Sequence, residues 1–186
     1  MDALLTAAEH YARPFYAEAH RAYHNAAHVE AVLDALRRRG VLSPTLALAV
    51  WGHDLIYDPR AGDNEARSAQ VFGEWLTEQG ADAALVAEVR TLILATQHKA
   101  LPATRDEALL VDADLSVLGA APADFAAYDQ AIRQEYRHVV PGPLYRLGRR
   151  KVLQSFLKRE RIFSTPEFAE LEASARANLA GAVAKL

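Results

Sequence analysis

Residues 46–51, Leu-Ala-Leu-Ala-Val-Trp, are apolar on nearly every side of a helix. Such a helix has no face to offer water, so it must be central and enclosed by other elements. Ser43-Pro44, just ahead of it, is an N-cap followed by a proline at the first helical position. This third helix is expected to continue through about Asp58. Near its end stands His53-Asp54. An imidazole and a carboxylate in a buried helix must be solvated, paired or bound to a cation, because burying an unpaired charge is costly.

Elsewhere the helix signals recur. Alanine is abundant and β-branched runs are scarce. Asp2 to Arg13 reads as a first helix ending before Pro14. Asn25 caps a second that runs to Gly40, with Val29, Val32, Leu33 and Leu36 on its apolar face. Asp58 to Gly62 has turn composition. Asp63 caps a helix ending near Gly80, and Asp82 caps another reaching His98. Further helices are expected from about Arg105 to Gly119, Pro122 to His138 and Leu144 to Arg161, with a break at Pro141-Gly142-Pro143. Thr165-Pro166 repeats the cap-plus-proline signal and opens a C-terminal helix. The expectation is an all-α, compact helical bundle of roughly eight helices with short connections. No strand pattern, internal repeat or composition break divides it, so residues 1–186 read as one domain.

Composition narrows the chemistry. There is no cysteine, so any metal must be held by His, Asp, Glu or water. The formal net charge of −3 argues against an extended nucleic-acid-binding face, though not against a nucleotide. No apolar run approaches the ~20 residues of a membrane helix. The N-terminal stretch carries Asp2 and Glu9 and does not read as a signal peptide, so a cytoplasmic location is expected. Homodimerisation is left open.

Two other segments offer ligands to the ion implied at His53-Asp54. His28 lies one turn inside the second helix. Asp112 and Asp114 lie in the very apolar Leu109-Leu110-Val111-Asp112-Ala113-Asp114-Leu115, where carboxylates need cations or hydrogen bonds. Two imidazoles and two carboxylates would offset a divalent charge. Mixed nitrogen and oxygen ligation suits Mn, Fe, Co, Ni or Zn, with Mg also compatible.

The order His…His-Asp…Asp on separate helices resembles the HD superfamily of metal-dependent phosphohydrolases, and in particular a bacterial subfamily of HD proteins. The resemblance covers nearly the whole chain. It runs through Tyr23-His24-Asn25 to His28, Trp51 to Asp58, Asp63-Asn64-Glu65 with Ser68-Ala69, and Ala95 to His98. It continues through Asp112 to Leu115, Glu135-Tyr136, and Gly148-Arg149 with Phe156-Leu157. It implies a helical fold with a metal in a central cleft, held by His28, His53, Asp54 and Asp114. Asp114 is preferred to Asp112 because it occupies the place of the Ala-Asp pair in related HD domains. The resemblance stops short of a substrate.

A divalent ion lowers the pKa of a bound water toward neutrality and polarises a phosphoryl oxygen. The implied activity is hydrolysis of a nucleotide or another small phosphorylated metabolite. Asp58, one turn beyond Asp54, and Glu65 are candidates for general acid–base work. Asp58 also reads as a turn residue before Pro59, and Glu65 as a first-turn acid of a capped helix. His24 and His98 are candidates for binding substrate oxygens or, for His98, a second metal. Lys99, Arg149, Arg150 and Lys151 are candidate phosphate partners, although the basic run around Arg149 also suits a solvated helix face. Two other functions stay open: a metal-bound nucleotide sensor without turnover, and a di-iron oxygenase of the HD fold. The oxygenase needs more histidines than the single His98 between His53-Asp54 and Asp114.

Overall fold

The computed structural model describes residues 1–186. Nine α-helices follow one another: α1 (Asp2–Tyr16), α2 (Ala26–Arg38), α3 (Pro44–Gly52), α4 (Asn64–Glu78), α5 (Ala83–Ala95), α6 (Arg105–Asp114), α7 (Pro122–Tyr136), α8 (Gly142–Leu157) and α9 (Glu172–Lys185). Short 3-10 turns occupy Leu115–Gly119 and Ala169–Leu171, and there is no strand. No helix is long and apolar enough to cross a membrane.

The caps work as their side chains dictate. Asn25 accepts from the Ala27 amide, Ser43 from Leu46 and Asp82 from Leu85, each satisfying an otherwise orphaned donor. Asp63 stands at the start of α4 but makes no such bond. Gly40 and Gly80 take positive φ, 68° and 77°. There the chain turns out of α2 and α4 with Val41 and Ala81 amides bonded back to Leu36 and Leu76 carbonyls.

α3 is enclosed as its composition requires. All residues from Leu46 to Gly52 are buried, with α1, α2 and α5 packed against it and α4 packed on α5. One contiguous cluster of 37 buried apolar residues runs from Ala8 to Ala182. At about 25 cal/mol per Å² of apolar surface, such burial dominates the favourable side of folding.

Several boundaries differ from the pattern: α6 gives way to a 3-10 turn at Leu115, short of Gly119, and α8 spans Gly142–Leu157 rather than Leu144 to Arg161. α1 includes Pro14 and continues to Tyr16, whose buried hydroxyl donates to the Trp51 carbonyl at 2.9 Å. α3 stops at Gly52, not near Asp58. A Cβ at Gly52 would stand 2.5 Å from Phe72 Cδ1 and 2.8 Å from Ile93 Cδ1, so the chain leaves the helix against neighbours that tolerate no side chain. α5 ends at Ala95 rather than His98, which adopts φ 55°. The last helix starts at Glu172 rather than at Thr165, because the Thr165 amide and hydroxyl are both bonded to Asp112.

Candidate metal centre

His53 and Asp54 lie in the turn that follows α3, and Arg21 fixes that turn. The buried Arg21 guanidinium donates to the Asp54 carbonyl at 2.6 Å, the Leu55 carbonyl at 2.8 Å and the His24 carbonyl at 3.1 Å. Ser68 on α4 accepts from the Ile56 amide at 2.9 Å. A turn held by side chains from two other segments keeps its residues in one geometry.

The first turn of α2 brings His28 to this turn, and the end of α6 brings Asp114. His28, His53 and Asp114 form a group that can hold a metal ion, with one donor atom from each within 4.8 Å of the others. His28 Nε2 and His53 Nε2 are 3.1 Å apart. Asp114 Oδ1 lies 3.2 Å from His28 Nε2 and 3.7 Å from His53 Nε2. Asp54 Oδ2 joins the same imidazoles, at 3.1 Å from His53 Nε2 and 3.6 Å from His28 Nε2.

The donor set fits an ion on two counts. Donors about 2.0–2.2 Å from one ion stand about 3–3.6 Å apart at octahedral or tetrahedral angles, close to these five separations. The tautomer is also right. His53 Nδ1 donates to the Val50 carbonyl at 2.7 Å, leaving the Nε2 lone pair of the neutral ring for a cation, as metal-ligating histidines are commonly held. Both imidazoles are buried, at 5% and 1% exposure. Burial alone would lower the His53 pKa, but Asp54 and Asp114 overcome it and push it up to about 9. Burial likewise opposes ionisation of Asp54 and Asp114, and the surrounding imidazoles outweigh it, holding both well below the usual carboxylate range. The cluster therefore attracts positive charge, which a divalent ion supplies without protonating a ligand.

The neighbouring groups are organised by two carboxylates. Asp114 Oδ2 lies 3.1 Å from His98 Nε2. Glu135, buried on α7, accepts from the Tyr23 and His24 amides at 2.8 and 2.9 Å, from His24 Nδ1 at 2.8 Å and from the Tyr57 hydroxyl at 2.9 Å. Burial raises the Glu135 pKa, but its bond to His24 and the two amides more than compensate, and the carboxylate is held below its usual range. The His24 ring stacks on Tyr57 with centroids 4.2 Å apart. Burial lowers the His24 pKa, while Asp54 and Glu135 together raise it above its usual value.

A cleft of about 420 Å³ opens beside Asp114, His24 and His98, walled mainly by apolar side chains and reaching Arg149. Arg149, from α8, is buried at 8% exposure. Its Nε donates to Asp129 Oδ1 at 3.0 Å, and its guanidinium lies over the Tyr128 ring, 5.1 Å from the centroid. Burial would lower its pKa; Tyr128 and Asp129 raise it, so it stays charged.

Several expected site residues lie elsewhere. The Asp58 carboxylate accepts from the Arg60 amide at 2.9 Å and faces a separate polar hollow lined also by His20 and His138. The Asn64 side chain clasps the Asp58 backbone, accepting from its amide at 3.0 Å and donating to its carbonyl at 2.9 Å. Glu65 is half-buried in the first turn of α4 and lines neither the cleft nor that hollow. Lys99, Arg150 and Lys151 are exposed and are not among the lining residues of the cleft. Asp112 is fully buried, and both of its oxygens accept from the Ser164 amide, so it anchors the loop before α9. Glu135 stands among the residues that carry the resemblance but has no role assigned by it, and Arg21 is not among them. Glu135 was detectable as an acid three residues beyond Ile132 on the buried face of α7; Arg21, in an irregular segment, had no such signal. Compared with protein-family models, with curated proteins and with solved structures, the chain has no match. Fold and geometry thus define an all-helical protein with a buried His/Asp cluster able to hold a metal ion.

Proposed function

We propose that the chain is a metal-dependent phosphohydrolase of the HD type, acting on a small phosphorylated metabolite or nucleotide. The observation that carries this reading is the meeting of His28, His53, Asp54 and Asp114, from three distant segments, beside a cleft of substrate size. His28, His53, Asp54 and Asp114 would hold a divalent transition ion or Mg²⁺, which when bound would supply Lewis acidity and lower the pKa of a water.

The chain's own groups then account for the protons. Hydrolysis forms one P–O bond to the water oxygen and breaks one P–O bond to the leaving oxygen. His98 donates from Nε2 to Asp114, which leaves Nδ1, buried and without a partner, to take the proton released by the water. His24 has Nδ1 committed to Glu135, so its Nε2 delivers the proton that the leaving oxygen needs. Arg149 offers its guanidinium to phosphoryl oxygens.

The test is metal analysis with a panel of phosphate esters and nucleotides in the presence of Mn, Co, Ni or Mg. Phosphate release is expected from metal-loaded protein, and its loss together with metal in His53→Ala and Asp54→Ala, with helix content largely kept. Full metal loading in either variant overturns the ligand assignment. Binding without phosphate release across the panel, in metal-loaded protein, makes the chain a nucleotide sensor. Two bound irons per chain with oxygen consumption make it an oxygenase.

A further inference from the structure

The cleft beside Asp114 has a chemistry that selects among phosphate compounds. Its wall beyond His24 and His98 is built from aliphatic and aromatic side chains, among them Leu118, Ile132, Tyr128 and Phe156. The apolar character extends to the mouth, where Leu144 and Val152 are 59% and 47% exposed. Arg149 is the only Lys or Arg that lines it, and that guanidinium is already shared with Asp129. The two carboxylates of the metal cluster would offset a divalent ion, and Glu135 accompanies His24. No surplus of positive charge remains to meet the three or four charges of a polyphosphate.

A second, independent observation marks this cleft as a place for a ligand. Two side-chain polar atoms of residues lining this cleft, His98 Nδ1 and Tyr145 Oη, are buried without a hydrogen-bond partner, and Arg149 Nη2 has only its ion pair with Asp129 Oδ1 at 2.9 Å. An unpaired buried donor or acceptor is costly, and folded proteins seldom leave one without a purpose. His98 Nδ1 is used in the proton transfer above. Tyr145 Oη remains as an unpartnered donor on α8, one turn before the Arg149 guanidinium that Asp129 holds in place, and the two can meet the oxygens of one phosphoryl group.

Resting on the hydrolase reading, we infer that the substrate is a phosphomonoester of an apolar alcohol: one phosphate at the metal cluster and Arg149–Tyr145, with an apolar body packed along α7 and α8. Nucleoside triphosphates and inorganic polyphosphates fit neither the charge nor the walls.

Non-hydrolysable phosphonates test this without turnover. Mn²⁺-loaded protein is titrated calorimetrically with methyl-, butyl- and octylphosphonate and with a non-hydrolysable ATP analogue. Affinity is expected to rise about fourfold per methylene over the first several, the factor for burying each CH₂, and the ATP analogue to bind more weakly than octylphosphonate. Val152→Asn, a neutral polar change at the rim of the cleft, is expected to weaken octylphosphonate about tenfold and methylphosphonate much less, with metal content retained. Tyr145→Phe is expected to weaken all the alkylphosphonates alike. Equal affinity from methyl to octyl, or tighter binding of the ATP analogue, overturns the inference. The two readings fail separately. Chain-length dependence without phosphate release from the matching alkyl phosphates keeps the cleft assignment and removes the hydrolase. Phosphate release that is indifferent to the alcohol does the reverse.

Discussion

Glu135→Gln is the substitution that isolates the electrostatics around the centre, because it keeps the shape of the side chain and removes its charge. Glu135 is buried at 4% exposure and accepts four hydrogen bonds, two on each oxygen. A glutamine keeps its carbonyl on the Tyr23 and His24 amides. Its NH₂ then meets His24 Nδ1 and the Tyr57 oxygen, so His24 must give up its Nδ1 proton and Tyr57 must become an acceptor. All four bonds survive, but none is charge-assisted. Bonds to charged groups contribute about 1.5–3 kcal/mol and neutral ones about 0.5–1.5, so each loses about 1 kcal/mol. Since the bonds are not independent, the expected total is about 2–4 kcal/mol. The assay is urea unfolding of the wild type and the variant from pH 7 downward. Glu135 is held below its ordinary pKa, so its contribution is fully present above the ordinary carboxylate value of about 4.3. It is lost as the pH falls through the lower folded value, and the gap between the two proteins should close there. A gap under about 1 kcal/mol at pH 7, or one that does not change on acidification, refutes the account of Glu135 as the charged anchor of His24.

Metal binding to the folded state at about a thousand times its dissociation constant should add about 4 kcal/mol. Across 186 residues that raises the melting temperature by about 10 °C, and scanning calorimetry should find no such rise in His53→Ala. Gly52→Ala forces a Cβ onto Phe72 and Ile93 and should cost about 1–3 kcal/mol; because Gly52 adjoins His53, weakened metal affinity should accompany the lower stability, and an alanine variant unchanged in both refutes the packing argument. Arg149→Ala should raise KM about tenfold or more, the worth of a charge-assisted bond, and lower kcat less. Unchanged steady-state kinetics on a cleaved phosphomonoester would leave Arg149 only its packing role with Asp129 and Tyr128.

Local signals in the sequence place most of the helices and nominate the candidate ligands. Caps at Asn25, Ser43 and Asp82 act through atoms two or three residues away, and the apolar run before His53 demands burial wherever it folds; such local terms are readable in one dimension. The candidate ligands were legible because imidazoles and carboxylates in apolar segments need a reason to be there. Between the two aspartates of α6 the resemblance prefers Asp114, and the packed helices give the physical reason. Two residues apart on a helix, they face different ways, and Asp112 meets the loop at Ser164 and Thr165 while Asp114 meets His28 and His98. Tertiary structure alone ended α3 at Gly52, where Phe72 and Ile93 from distant helices close in, and so carried His53 and Asp54 into a turn gripped by Arg21. It turned Asp58 and Glu65 away from the cleft and gave Glu135 its place behind His24, 111 residues away in the chain. These outcomes depend on which side chains share one volume, and that is fixed only once the helices have packed.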